Sequence, residues 1–264
     1  MAKSWTDPAR GGHTTPRRAA SPRVRRGGGG RLTGWDALWT KRTIPPSQGS
    51  TLADLLAADG FDSGFSRLSE ASWSAGVRRL AAALRLTPGA SVFEVGCGAG
   101  AFLYELERLG CEVSGVDLSP ALIGKAAEAM PSGRFAVSDA AAFQVEPRVD
   151  AVISFGVFLY FSSLDYAAQV LDRMVEKARR VVAVLDVPDL ARREEDLAYR
   201  RKLAGGEAAH AARYAGLDHV YYDRAWLADA LRARGLVDVS VEDQAIDGYG
   251  NAPFRFNAWG FLAR

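Results

Sequence analysis

From residue 91 the chain alternates short apolar runs with stretches of helical period. Ser91 to Val95, Glu112 to Val116, Arg134 to Val137, Ala151 to Phe155 and Val181 to Leu185 read as strands. Between the first two, Phe102, Leu103, Leu106 and Leu109 share one helix face and Gly110 closes the helix. Between the second and third, Ser119 caps a helix that opens on Pro120 and reaches about Met130. A further helix runs from about Asp165 to Ala178, and another from about Asp223 to Arg234, which stops at Gly235. Val237 to Glu242 and Arg255 to Leu262 then follow with no helix between them, so they pair as a hairpin and the last strand runs against the rest. The pattern predicts an α/β fold: a doubly wound, mostly parallel seven-stranded sheet with helices on both faces and a C-terminal antiparallel hairpin.

Upstream, Trp35 to Trp39 and Thr51 to Asp59 read as short helices around a turn at Pro45 and Pro46, with Gly60 as a stop. Val77, Leu80, Ala81 and Leu84 recur at helical spacing before Pro88 and Gly89. The expected organisation is a basic tail over residues 1–31, a helical lid or cap over 32–88, and a main domain over 89–264 with an insertion at about 187–222. No apolar run approaches the roughly 18 residues that a membrane span needs, so no transmembrane helix is expected. Cys97 and Cys111 form neither a disulfide framework nor a zinc-ligand pattern, which makes a reducing, cytoplasmic setting the expectation.

The net charge of +2 conceals an asymmetry. Residues 1–31 carry eight of the 33 bases and one of the 31 acids, leaving 25 against 30, or −5, for the remainder. An acidic folded part disfavours nucleic acid as a partner, because phosphate neutralisation needs a basic face. The Arg-, Gly- and Pro-rich tail reads as a disordered extension or a misplaced start, and its composition also resembles a transit peptide, although Gly27 to Gly30 and the prolines break any amphipathic helix there.

The densest chemical signal is Val92-Phe93-Glu94-Val95-Gly96-Cys97-Gly98-Ala99-Gly100-Ala101, a strand entering a glycine-rich turn and then a helix. Such a loop lets a ligand reach backbone amides at a helix N-terminus. Asp117 ends the second strand, placed for a ribose diol, and Asp139 ends the third, placed for an adenine amino group. Gly96-x-Gly98-x-x-Ala101 also satisfies the dinucleotide fingerprint, so the loop alone does not separate nicotinamide from other adenosyl cofactors. A carboxylate at Glu94 opposes a diphosphate and complements the ammonium of a methionine moiety.

The three-acid ladder Glu94, Asp117 and Asp139, with the terminal hairpin, resembles the class I S-adenosylmethionine-dependent methyltransferases over about residues 70–264. The resemblance implies S-adenosylmethionine as cofactor, S-adenosylhomocysteine as product, and a Rossmann-like sheet. By it, Glu94, Gly96, Cys97, Gly98 and Gly100 receive the methionine portion, Asp117 with Leu118 the ribose, and Asp139 with Ala140 the adenine. Phe155 with Gly156 lies beneath the sulfonium, and Cys97 is a small filler of the loop rather than a nucleophile.

Within that family the acceptor class is thinned by what is missing from the sequence. After strand four the chain reads Ser154-Phe155-Gly156-Val157-Phe158-Leu159-Tyr160-Phe161, without the Asn/Asp-Pro-Pro-Tyr element used on base amino groups. There is no Pro-Cys nucleophile, nor a carboxylate after strand four to hold magnesium. The expectation is metal-independent, in-line transfer to a small molecule, at a hydroxyl oxygen ahead of nitrogen or carbon, in natural-product or sugar biosynthesis.

The acceptor site belongs beyond the carboxyl ends of the strands. There the Phe155–Phe161 loop, the insertion and the loop Ala245–Pro253 meet, under a lid that carries Trp35, Trp39 and Trp73. A hydroxyl acceptor calls for a base, for which His219 and His210 are the candidates, each equally readable as a hydrogen-bonded histidine of the lid. Phe158, Tyr160, Tyr221, Tyr222, Tyr249 and Asn251 are candidate walls. Arg255 reads either as a partner for an acidic substrate or as a solvated charge, while Arg192-Arg193-Glu194-Glu195-Asp196 reads as a solvated helical face. A nicotinamide oxidoreductase and a non-catalytic cofactor-binding partner are the rival readings, and the oligomeric state stays open.

Overall fold

The computed structural model describes residues 34–40, 50–61 and 68–263. The expected basic tail and the turn at Pro45 and Pro46 lie outside the described residues. Seven strands form one sheet: β1 (Ser91–Val95), β2 (Glu112–Asp117), β3 (Arg134–Val137), β4 (Val149–Phe155), β5 (Ala178–Pro188), β6 (Leu236–Asp243) and β7 (Arg255–Leu262), in the spatial order β3-β2-β1-β4-β5-β7-β6. Pairing is parallel from β3 across to β5, and β7 is antiparallel to both β5 and β6. The fold is therefore the doubly wound α/β sheet that the pattern predicts, with the strand order reversing between β1 and β4. That reversal opens the crevice where such sheets bind ligands.

The helices are α1 (Gly34–Thr40), α2 (Leu52–Ala58), α3 (Glu70–Ala83), α4 (Ala101–Arg108), α5 (Pro120–Ala129), α6 (Leu164–Lys177), α7 (Arg193–Ala204), α8 (Glu207–Arg213) and α9 (Arg224–Ala233). Their starts are written in the sequence: Thr51, Ser69, Ser119, Ser163 and Asp223 each turn a side-chain oxygen to a first-turn N–H. Strand alternation sends Val92, Ala151 and Ile153 to a core shared with α2, α3, α4 and α5, and Phe93, Val95 and Val152 to a second core under α6 and α9.

Strand β5 is longer than its apolar centre suggests. Arg179 and Arg180 extend it at the start, and at its end Asp186 takes a left-handed φ of 59° where the pairing with β7 shifts register between Val184 and Val187. The bulge re-aims Asp186 into the crevice, a usual service of such irregularities. The insertion that follows holds α7 and α8, and its two ends are stitched together: Tyr222 N donates to Pro188 O and Leu190 N to Tyr222 O, each at 2.9 Å. Among the described residues no helix is long and apolar enough to cross a membrane.

Candidate active site

The crevice is a cavity of about 830 Å³ lined by the ends of β1 to β5, by α1, and by the loops before α9 and β7. At its floor the glycine loop makes a sharp reversal. Gly96 and Gly98 have φ of 75° and 56°, and a Cβ would lie 2.4 Å from Val157 Cγ2 at the first and 2.3 Å from Asp59 Oδ1 at the second, so only glycine fits either position. Gly100 is no cavity wall. It begins α4 with a left-handed φ of 89° and packs on Met130, a structural position where a binding one was expected.

The loop amides differ from expectation in a second way, since every one of them already has a protein acceptor. Gly96 N and Cys97 N donate to Val116 O, Gly98 N to Asp117 Oδ2 at 3.0 Å, and Gly100 N to Cys97 O. Ala99 N and Ala101 N donate to Asp59, at 2.6 and 3.2 Å. Asp59, which follows α2, thus supplies the anion that a helix N-terminus attracts. No local sequence signal marks it, because it reaches the loop from forty residues upstream.

The result is an acidic floor. Glu94 is only 2% exposed, its Oε2 has no hydrogen-bond partner, and burial, then Asp59 and Asp117, raise its pKa well above the usual carboxylate value. Asp117 accepts N–H groups of Gly98 and Ser119, yet burial still holds its pKa high. Cys97 beside them is buried and its thiol is pushed well up, first by burial and then by the surrounding carboxylates, which suits a filler and not a nucleophile.

Asp139 Oδ1 accepts from Ala141 N at 2.8 Å and from Tyr166 Oη at 2.7 Å, and Asp139, Ala140 and Leu118 line the same cavity. Phe155, also on the wall, stacks on Phe102 and meets the edge of Trp73. Trp73 itself is buried in the α3 core, with Nε1 donating to Ala101 O, so its place is in the scaffold and not in a mobile lid.

The far end is aromatic and basic. His219 stacks on Trp35 at 4.8 Å and 12°, and Tyr160 closes over both. Trp35 Nε1 donates to Asp218 O, and Trp39 packs against Tyr160. The His219 Nε2 is buried without a partner, and burial, then Arg200, Arg255 and His210, lower its pKa well below 6.5. Tyr249 donates to Asp186 at 2.8 Å, and Asn251 donates to Tyr249. Asp186, Arg200 and Arg213 are further lining residues that sequence reasoning missed. For Asp186 an acid directly after an apolar strand was the available sign.

Four expected site residues lie elsewhere. Phe158 is sealed in the second core against Phe161 and Tyr222. Tyr222 is fully buried and its hydroxyl donates to Phe158 O at 2.8 Å, so it anchors the insertion. Tyr221 donates to Asp196, which pushes its pKa, already raised by burial, up to about 12. His210 sits on α8 against Tyr214 and, with Tyr221, lines a separate small hollow of about 220 Å³. Arg255 is no solvated charge: it is 2% exposed and faces the main cavity. Asp196, expected on a solvated face, is wholly buried against Arg200 at 2.9 Å.

Residues 92–183 match the family model of a methyltransferase domain. No curated protein matches the chain. Solved structures do. The magnesium protoporphyrin IX methyltransferase of Synechocystis PCC 6803, with S-adenosylhomocysteine bound, is 19% identical over 74% of this chain and 83% of its own, with a TM-score of 0.54. An amino pentose methyltransferase from Micromonospora echinaspora, involved in calicheamicin biosynthesis, is 16% identical over 72% and 92%, at 0.52. The N-methyltransferase NodS of Bradyrhizobium japonicum WM9 is 18% identical over 77% and 99%, at 0.52. At these identities the structures establish a shared fold, and the family match lies on the strands that carry the glycine loop and its acids. Residues 92–183 therefore match a methyltransferase domain, set in a fold that the chain shares with these methyltransferases.

Proposed function

We propose that the protein moves a methyl group from S-adenosylmethionine to a hydroxyl oxygen of a small molecule, with His219 receiving the proton. The observation that carries the reading is the polarity of one cavity: a carboxylate floor at Asp59, Glu94 and Asp117, and an unpartnered imidazole nitrogen under an aromatic roof. The floor fits a cationic cofactor. Glu94 and Asp59 would hold its ammonium end, Asp117 and Leu118 its ribose, Asp139 and Ala140 its adenine, with Phe155 beside the sulfur. When bound, it supplies an electrophilic methyl group on a sulfonium. A diphosphate finds no open loop amide and three carboxylates instead, which argues against a nicotinamide dinucleotide.

Depression of the His219 pKa keeps the ring neutral at ordinary pH, so Nε2 is able to accept. A weak base suffices, because the hydroxyl proton becomes strongly acidic as its oxygen gains charge in the displacement. The Trp35 stack fixes the ring, and the aromatic roof excludes water and aligns the acceptor. One solved structure of the same fold, the amino pentose methyltransferase involved in calicheamicin biosynthesis, supports a small biosynthetic acceptor.

The test is a screen of hydroxyl acceptors by S-adenosylhomocysteine release, run beside His219→Ala. The variant is expected to lose about 10²-fold in kcat with cofactor affinity kept, and the wild-type acid limb to fall below pH 6.5. Unchanged turnover in the variant would remove His219 from the mechanism.

A further inference from the structure

We infer that the acceptor carries a carboxylate and that Arg255 receives it. The inference rests on the methyl-transfer reading for the identity of the bound molecule, and on an unusual arginine for its chemistry. Arg255 opens β7, is 2% exposed, and lines the cavity, yet its Nε and Nη1 are buried without any acceptor. Other buried cations are provided for: Arg200 pairs with Asp196 at 2.9 Å, and Lys177 donates to the carbonyls of Gln144, Val145 and Pro147 at 3.0 Å each. A guanidinium stays charged at every working pH, and burying one without hydrogen bonds is expensive.

Asp186 is the anion whose charge most favours Arg255, but its oxygens accept from Tyr249 at 2.8 Å and Gln244 at 3.3 Å, and no ion pair joins it to the arginine. Nε and Nη1 lie on different edges of the guanidinium, so a planar carboxylate entering from the cavity would pair with Nη2 and one of them, the bidentate geometry that a carboxylate matches. Carboxylates line the floor beneath the glycine loop, while Arg255, Arg213 and Arg200 line the cavity together with Asp186 and Asp218, Asp186 being engaged by Tyr249 and Gln244. The apolar body of such an acceptor would lie along Trp35, Trp39 and Tyr160, which favours a flat, aromatic carboxylate bearing a separate hydroxyl.

The experiment titrates the full chain, with and without saturating S-adenosylhomocysteine, using 4-hydroxybenzoate and its neutral partner 4-hydroxybenzamide as probes, followed by calorimetry and thermal shift. Saturable binding of the benzoate, about tenfold or more tighter than the amide, is expected. Arg255→Met should abolish that preference while the S-adenosylhomocysteine affinity stays put. Equal binding of the two probes, or no benzoate binding up to about 10 mM, overturns the inference, as does a preference that survives in the variant. If Arg255→Met folds poorly, Arg255→Lys, which keeps the charge and loses the bidentate fork, should cut the preference about fivefold or more, and a preference unchanged in it overturns the inference. Loss of S-adenosylhomocysteine binding in the wild type would instead strike the methyl-transfer reading, so the two failures are told apart.

Discussion

Glu94 offers a case in which stability and binding pull in opposite directions. Its carboxyl is buried, its Oε2 has no donor, and Asp59 and Asp117 repel its charge, so the folded protein favours the protonated form. A group whose pKa is raised on folding contributes stability that is present below its unfolded value, here about 4.5, and lost as pH climbs through the folded value. At about 1.36 kcal/mol per pH unit, the interval from 4.5 to pH 7 caps the cost at about 3.4 kcal/mol, because beyond that the carboxyl simply takes up a proton. Glu94→Gln copies the protonated shape without the titration. Its melting temperature should exceed that of the wild type at pH 7, by no more than about 7–14 °C given roughly 2–4 °C per kcal/mol in a domain of this size, and the gap should close by pH 4. The same variant should bind S-adenosylmethionine about 10- to 100-fold more weakly, the worth of one charge-assisted contact. Thermal melts across pH 4 to 8, paired with calorimetry, test both halves. A gap independent of pH, or a destabilised variant at pH 7, would refute the reasoning.

Two further substitutions separate scaffold from site. Gly98→Ala puts a Cβ 2.3 Å from Asp59 Oδ1 at a left-handed φ, so it should expel that carboxylate from the loop, cost about 1–3 kcal/mol, and weaken cofactor binding, as read by denaturant melts and calorimetry. Tyr222→Phe takes from Phe158 O the shorter of its two donors, leaving Phe161 N, and should cost about 0.5–1.5 kcal/mol with S-adenosylhomocysteine affinity unchanged; a binding defect in a stably folded variant would return Tyr222 to the site.

The sheet was legible because alternation and caps are local: Ser119-Pro120 announces α5, and the missing helix between Val237 and Leu262 announces the hairpin. The ends of β5 were not, since Arg179 and Arg180 are solvent-facing and Asp186 interrupts the apolar run at a bulge that only the pairing with β7 reveals. Glu94, Asp117 and Asp139 were readable because each closes or occupies a strand at the crevice. Asp59 was not, since its partners are amides far along the chain. Among aromatic residues the sequence offered no means of telling a wall from a core. Tyr160 and Phe158 are two residues apart in one turn, and only the first meets the cavity. Arg255 shows the same limit from the other side, for its charge was plain and its burial was not.

The acidic floor should select S-adenosylmethionine over a dinucleotide. Calorimetric titration of the full chain with S-adenosylmethionine, S-adenosylhomocysteine and NADH, with Asp117→Ala alongside, measures it directly. Micromolar binding of the first two, weakened by about tenfold or more in the variant and absent for NADH, is the expected result. Binding of NADH alone, or S-adenosylmethionine affinity indifferent to Asp117, would contradict it.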